Sequence, residues 1–288
     1  MDPEEFALGF TSWTASLADT VEGVIAIDGK TVRRSHGGEG QRAIHMVSAW
    51  SSANRLILAQ RKVDMNSNEI TAIPEVLRLL DCTDAVVTID AMGCQRSIAE
   101  QIVEQKGDYG LAVKENQKAL YDDIVDTFQQ TALADDAEVS SEKGHGRVEV
   151  RHSKVITDAA IVDWGQEQHH WPSLTAIGMI ETERTVRGKV GHERRYYVMS
   201  RRMSAEQFGP TVRSHWGIEN SVHWVLDMAF REDESRTRTG NAAENLSTIR
   251  RLVINLVRQN PKRTRGIQGS RYKASIDQHY LLQLLQGI

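Results

Sequence analysis

Between residues 23 and 132 the hydrophobic period of the chain switches between that of a strand and that of a helix, and this alternation limits the fold more than any other feature. VIAID (24–28, closed by Gly29), AIHMVSAWSS (43–52) and LILAQRKV (56–63) read as strands, the last two joined in a hairpin around Ala53 and Asn54. Residues 66–80 then set Ile73, Val76, Leu77 and Leu80 on one helical face, with Pro74 suited to a first turn. AVVTID (85–90) is a buried strand and QRSIAEQIVEQKG (95–107) a helix stopped by Gly107. YGLAVK (109–114) is a strand again, and 117–132 a helix. Three strands, then helix, strand, helix, strand, helix predict an α/β fold: an antiparallel start, β-α-β crossovers, and a mixed sheet with helices on its faces.

Outside that stretch, residues 3–20 place Phe6, Phe10, Trp13 and Leu17 on an amphipathic helix whose apolar face needs a partner. Residues 139–205 are β-rich, with a hairpin around Gly188 and Gly191, and are expected to form an insertion. After Pro210 the pattern predicts helices over 212–228 and 241–259, separated by the polar REDESRTRTG, and a short docking helix in HYLLQLLQGI.

The two cysteines, Cys82 and Cys94, form no CxxC pair and suit buried positions in a reducing cytoplasm. No basic n-region precedes an apolar stretch, and no apolar window is long enough to span a membrane. The expectation is a cytoplasmic protein with no membrane partner. The formal charge of −4 hides an asymmetry: residues 213–273 hold 12 Lys and Arg against 6 Asp and Glu, whereas residues 1–212 hold 23 against 32. The basic segment is either a surface for a phosphate backbone or a solvated helix face laced with ion pairs.

Asp28 and Asp90 each close a short apolar strand and precede a small residue. One such aspartate is most simply a turn former, but the repeated context suggests two carboxylates that share a divalent metal or a raised pKa. Glu219, in VRSHWGIENSVHWVLD, has Trp216, Val222 and His223 at neighbouring helical positions, a setting unlike that of a solvated glutamate; pairing with Arg213 or His215 is the competing role. GVIAIDGKT misses the phosphate-loop spacing by one residue and puts Asp28 where phosphates would lie, so nucleotide triphosphate binding is rejected. Neither a G-x-S-x-G elbow nor an HExxH motif is present.

Taken together, VIAIDGKTVRRS, SNEITAIPEVLRLL, VVTIDAMGCQ, YGLAVKENQ and RSHWGIENSVHWVLDMAFREDESRTRTGNAAENLSTIRR resemble the DDE transposases of bacterial insertion sequences, in their H-repeat-associated (ISAs-type) branch. The resemblance runs in order from about residue 5 to about residue 260. It implies an RNase H-like core over 23–138 and 206–260, a β-rich insertion over 139–205 before the helix bearing the last carboxylate, and a basic tail with a short helix over 261–288.

Carried over by position, Asp28, Asp90 and Glu219 match the catalytic carboxylates that hold two Mg²⁺ ions, with Mn²⁺ as a substitute, for strand cleavage and joining. DNA contacts are expected from Lys30, Lys114, Asn116, Arg213, His215, Arg236, Arg238 and Arg250. The implied partners are the terminal inverted repeats and target DNA, bound by a homodimer associated with the nucleoid. The Tyr, Arg and Lys that related transposases carry around the glutamate fall here at Val212, His215 and Leu226, which makes Arg213 or Arg236 the substitute phosphate contact. Residues 1–22 resemble the tail of an N-terminal associated region, which sets a non-catalytic DNA-binding relic beside the active enzyme as an alternative.

Overall fold

The computed structural model describes residues 1–17, 21–37, 42–64, 67–130, 136–144, 146–261 and 263–286. They form two compact units, one of residues 1–81 with 216–288 and one of residues 82–215.

In the first unit, β1 (Gly23–Thr31), β2 (His45–Ser51) and β3 (Leu56–Lys62) make an antiparallel meander in the order β3-β2-β1. Helix α1 (Pro3–Ser16) starts under Asp2, whose carboxylate accepts from the Glu4 and Glu5 amides. The partner its apolar face requires is β3: the Thr14 hydroxyl donates to the Leu58 carbonyl at 2.7 Å, and Phe10 joins the core. Helix α2 (Glu69–Leu77) covers the opposite face of β2 and β3. It begins earlier than Pro74 suggests, because Asn68 caps it through the Ile70 amide; Pro74 lies inside the helix. Helices α9 (Ala242–Gln259), α10 (Ile267–Ile276) and α11 (Gln278–Gln286) complete the unit, and Ile254, Val257, Tyr280 and Leu284 pack with Ala26, Trp50 and Ile57.

The second unit is a mixed sheet in the order β4-β5-β9-β8-β7-β6. Strands β4 (Ala85–Ile89) and β5 (Asp108–Val113) are parallel and linked through α3 (Arg96–Glu104), with α4 (Lys118–Gln129) following. From β5 outward the pairing is antiparallel: β9 (Lys189–Met199) joins β5, then β8 (Ala176–Val186), β7 (Arg147–Ile156) and β6 (Asp136–Gly144). The β-rich insertion thus extends the sheet edge to edge. It also contains a helix that the strand-like pattern hid, α5 (Ala159–His169), capped by Asp158. Helix α6 (Ala205–Arg213) starts well before Pro210, at the reciprocal Ser204–Gln207 cap, and packs Phe208 against Tyr197 and Gly178.

The observed succession β1-β2-β3-α2-β4-α3-β5-α4 is the expected RNase H-like one: mixed α/β, with helices flanking the sheets. No described helix is long and apolar enough to cross a membrane. Cys82 and Cys94 are both fully buried and in no disulfide, and burial, with Asp90's charge adding to it, pushes the Cys94 pKa far up. Neither thiol is expected to react with a thiol reagent at pH 8 before unfolding, when both should react. Rapid labelling of folded protein would contradict this packing.

Candidate active site

Strand β1 points Asp28 and Lys30 to one side of the sheet and Gly29 to the other. Asp28 is partly buried; one carboxylate oxygen accepts from the Gly29 amide at 2.8 Å, and the other lies 3.5 Å from His223 Nδ1. Two residues on, the buried Lys30 ammonium lies 2.9 Å from Asp227 and 3.2 Å from Asp233, which also takes Arg33 at 3.0 Å. His223 and Asp227 are four residues apart in the stretch made of α7 (Trp216–Ile218), a π-helical turn (Glu219–His223) and α8 (Trp224–Phe230). One face of that stretch therefore meets Asp28 and then Lys30. Glu219, exposed, opens the π turn one turn before His223. Such turns recur at functional sites because the extra residue re-aims the side chains around it.

The bare backbone at Gly29 has a specific cause. A Cβ there would sit 2.3 Å from both Glu69 Oε1 and His45 Nε2. Those two atoms are 2.6 Å apart, and His45 Nδ1 is held 2.7 Å from the Thr31 hydroxyl.

In the second unit Asp90 ends β4 and caps a short 3₁₀ turn, its Oδ1 accepting from Met92 N at 3.1 Å and Gly93 N at 3.4 Å. The turn is tied down from the segment after β5: Asn116 donates to the Ala91 carbonyl at 2.7 Å and Gln117 to the Cys94 carbonyl at 3.0 Å. Lys114, beside them, is exposed. His215 Nδ1 lies 3.3 Å from the Thr88 hydroxyl; burial holds the imidazole below its ordinary pKa, with Asp90's charge opposing. Asp28 and Glu219 thus share one unit, and Asp90 belongs to the other.

Two of the residues expected to contact DNA, Arg250 and Lys30, are buried in ion pairs within the protein. Arg250 is buried and donates to the fully buried Glu232 at 3.2 Å, so its guanidinium is not offered to a phosphate. Lys30 is likewise buried between two carboxylates. Part of the basic composition of 213–273 is internal: Arg251 is fully buried, Arg258 stacks 4.5 Å from the Trp50 ring, and Arg271 lies 4.1 Å from that of Phe230, whereas Arg231 and Arg265 are exposed. Arg213 is half-exposed and paired with Glu142 of β6. Arg236 and Arg238 are exposed, the latter donating to the Arg34 carbonyl at 3.1 Å. Sequence reasoning passed over His223 and Asp227 as partners of β1. The signal was there, since Glu219, His223 and Asp227 recur at four-residue helical spacing.

Carboxylate oxygens are hard donors suited to Mg²⁺ or Mn²⁺ rather than to a thiophilic metal. Among the described residues, however, no three His, Cys, Asp or Glu side chains are gathered closely enough to hold an ion as they stand.

The protein YbfL and the H repeat-associated putative transposase YhhI, both of Escherichia coli K12, are each 38% identical over 297 aligned residues, covering 100% of this chain and 78% of theirs. A piggyBac transposase in a synaptic complex with hairpin DNA aligns at 10% identity and a TM-score of 0.46, covering 93% of this chain and 53% of that one. Residues 19–256 match the family described as the transposase DDE domain, and the chain belongs to that family.

Proposed function

We propose that this chain is a DNA transposase that cleaves and joins strands at insertion-sequence ends by metal-dependent phosphoryl transfer, with Asp28, Asp90 and Glu219 as its metal-holding carboxylates. The observation that carries the reading is the placement of Asp28 against the helical stretch that bears Glu219, in a DDE-family chain. When bound, Mg²⁺ or Mn²⁺ would activate water or a 3′-hydroxyl and stabilise the leaving oxygen.

The chain's own side chains prepare for that step. The Gly29 amide and the His223 ring fix the Asp28 carboxylate from two sides, and two backbone amides orient Asp90. Asn116 and Gln117 hold the turn that carries those amides, which gives Asn116 a positioning role. Lys30 sets the register between β1 and the Glu219-bearing stretch through Asp227. The proposed partners are the element's terminal inverted repeats and target DNA, engaged by a homodimer that holds two ends together.

The test is incubation of the chain with Mg²⁺ or Mn²⁺ and DNA bearing those repeats. Metal-dependent nicking is expected, and Asp90→Ala is expected to lower it by at least about 10³-fold. Joining of a pre-cut end to a second duplex separates a transposase from a simple nuclease. Cleavage that survives Asp90→Ala, or DNA binding without any cleavage, would overturn the proposal.

A further inference from the structure

Besides the exposed arginines of 213–273, a second cluster of exposed positive charge lies in a part of the sequence whose net charge is negative. The β6–β7 ladder ends at the Gly144–Arg147 pair, and β8 and β9 turn at Arg187 and Gly188. The β7–β8 register pairs Arg147 with Val186, so the two hairpin ends lie side by side at the far end of the sheet. Residues 143–148 and 184–191 contribute Lys143, Arg147, Arg184, Arg187 and Lys189, and not one carboxylate. All five side chains belong to exposed residues.

Two of these cations are held in place. Glu149, buried just in from the tips, accepts on Oε1 from Arg184 Nε at 2.8 Å and pairs with Arg147, whose Nε lies 3.0 Å from the same oxygen, while Arg151 takes its other oxygen. Because both arginines bring their Nε to the same oxygen, their guanidinium groups are held near each other. The Nη ends remain on side chains that are 45% and 55% exposed. A guanidinium pair oriented by a buried carboxylate loses little entropy on meeting a phosphate oxygen. The surface is open, so it suits a polymer that passes across it better than an enclosed small anion.

We propose that these paired hairpin tips grip the phosphate backbone of duplex DNA. This rests on the reading of DNA as the partner, and it adds an electrostatic contact on the β-rich segment to that of the C-terminal basic segment. The bland alternative is an ion-pair network that merely stiffens the arm. It accounts for Arg147, Arg151 and Arg184, but not for the carboxylate-free turn with Arg187 and Lys189.

The experiment measures duplex DNA binding by the full chain as a function of salt. Arg187→Gln with Lys189→Gln changes turn residues that Glu149 does not engage, so the fold is expected to persist. If each contacts one phosphate, the slope of log K against log salt becomes shallower by about 1.8, and affinity at low salt falls about tenfold or more. Arg147→Gln with Arg184→Gln, made together with Glu149→Gln so that no buried carboxylate is stranded, is expected to have a similar effect. Lys106→Gln with Lys118→Gln removes the same charge elsewhere in this unit and is expected to leave the slope unchanged.

An unchanged slope in the tip variants, or an equal change in the Lys106/Lys118 control, overturns the assignment while leaving DNA as the partner. Absence of any salt-dependent duplex binding by the unmodified chain overturns both.

Discussion

Arg251→Ala is expected to destabilise the protein by about 3–5 kcal/mol, read as a lower urea midpoint at constant m value. Arg251 and Glu232 are both fully buried. Glu232 Oε1 accepts from Arg250 at 3.2 Å and from the Ser247 hydroxyl at 3.3 Å, with Arg251 Nη1 3.7 Å away. Burial draws the Arg251 pKa down and Glu232's charge opposes it, as expected for a cation whose folded state depends on that carboxylate. Deleting the arginine leaves a hole the size of a guanidinium and weakens the compensation of a buried negative charge.

The same residue reaches the candidate site. Arg251 Nε donates to the Ser48 hydroxyl at 3.0 Å, and Ser48 lies directly opposite Asp28 in the β1–β2 ladder. Replacing Glu232, Arg250 and Arg251 together by apolar residues of similar volume should recover most of the stability, because the penalty belongs to breaking the cluster rather than to lacking it. A single-variant loss below about 1 kcal/mol would mean that water reaches the cluster and solvates Glu232.

The buried arginines explain where sequence reading succeeded and where it stopped. Strands and helices of the first half were legible because their apolar patterns differ: a short continuous apolar run buried on both faces in β1, Val24 to Ile27, and one buried face in α3, Ile98 and Ile102. Helix starts were less legible, since a proline was taken as the marker where side-chain caps, Asn68 and Ser204, set the first turn. Helix α5 was hidden because its face is short and its neighbours are strands.

Charge misled for a different reason. A count of Lys and Arg does not say which guanidinium is offset by a carboxylate distant in sequence, and Arg250, Arg251 and Lys30 are all offset in this way. Asp28 and Asp90 stood out because each ends an apolar run, and Glu219 because of its apolar helical neighbours, whereas the contacts that orient Asp28, from His223 and the Gly29 amide, become visible only once β1 and the 216–230 stretch are packed.

Gly29→Ala should show how tightly that packing is drawn. The added methyl would be driven against Glu69 Oε1 and His45 Nε2, each 2.3 Å from the Cβ position, and these partners cannot simply swing aside. His45 is held at its other nitrogen by Thr31, and Glu69 sits in the first turn of α2. Either the His45–Glu69 bond breaks, leaving two partly buried polar groups short of a partner, or β1 moves away from α2. The expected cost is about 1–3 kcal/mol, the range for overpacking a well-filled site.

A double-mutant cycle identifies the cause. His45→Ala with Glu69→Ala removes the obstacle, so Gly29→Ala made in that background should cost at least about 1 kcal/mol less than it does alone. Because the Gly29 amide donates to Asp28, the single variant is also expected to slow any metal-dependent cleavage by more than its folded fraction explains, and the obstacle-free background should restore it. Additive stabilities across the cycle would show that the strain of Gly29→Ala lies in the β1 backbone itself, and that the His45–Glu69 pair does not dictate a glycine beside Asp28.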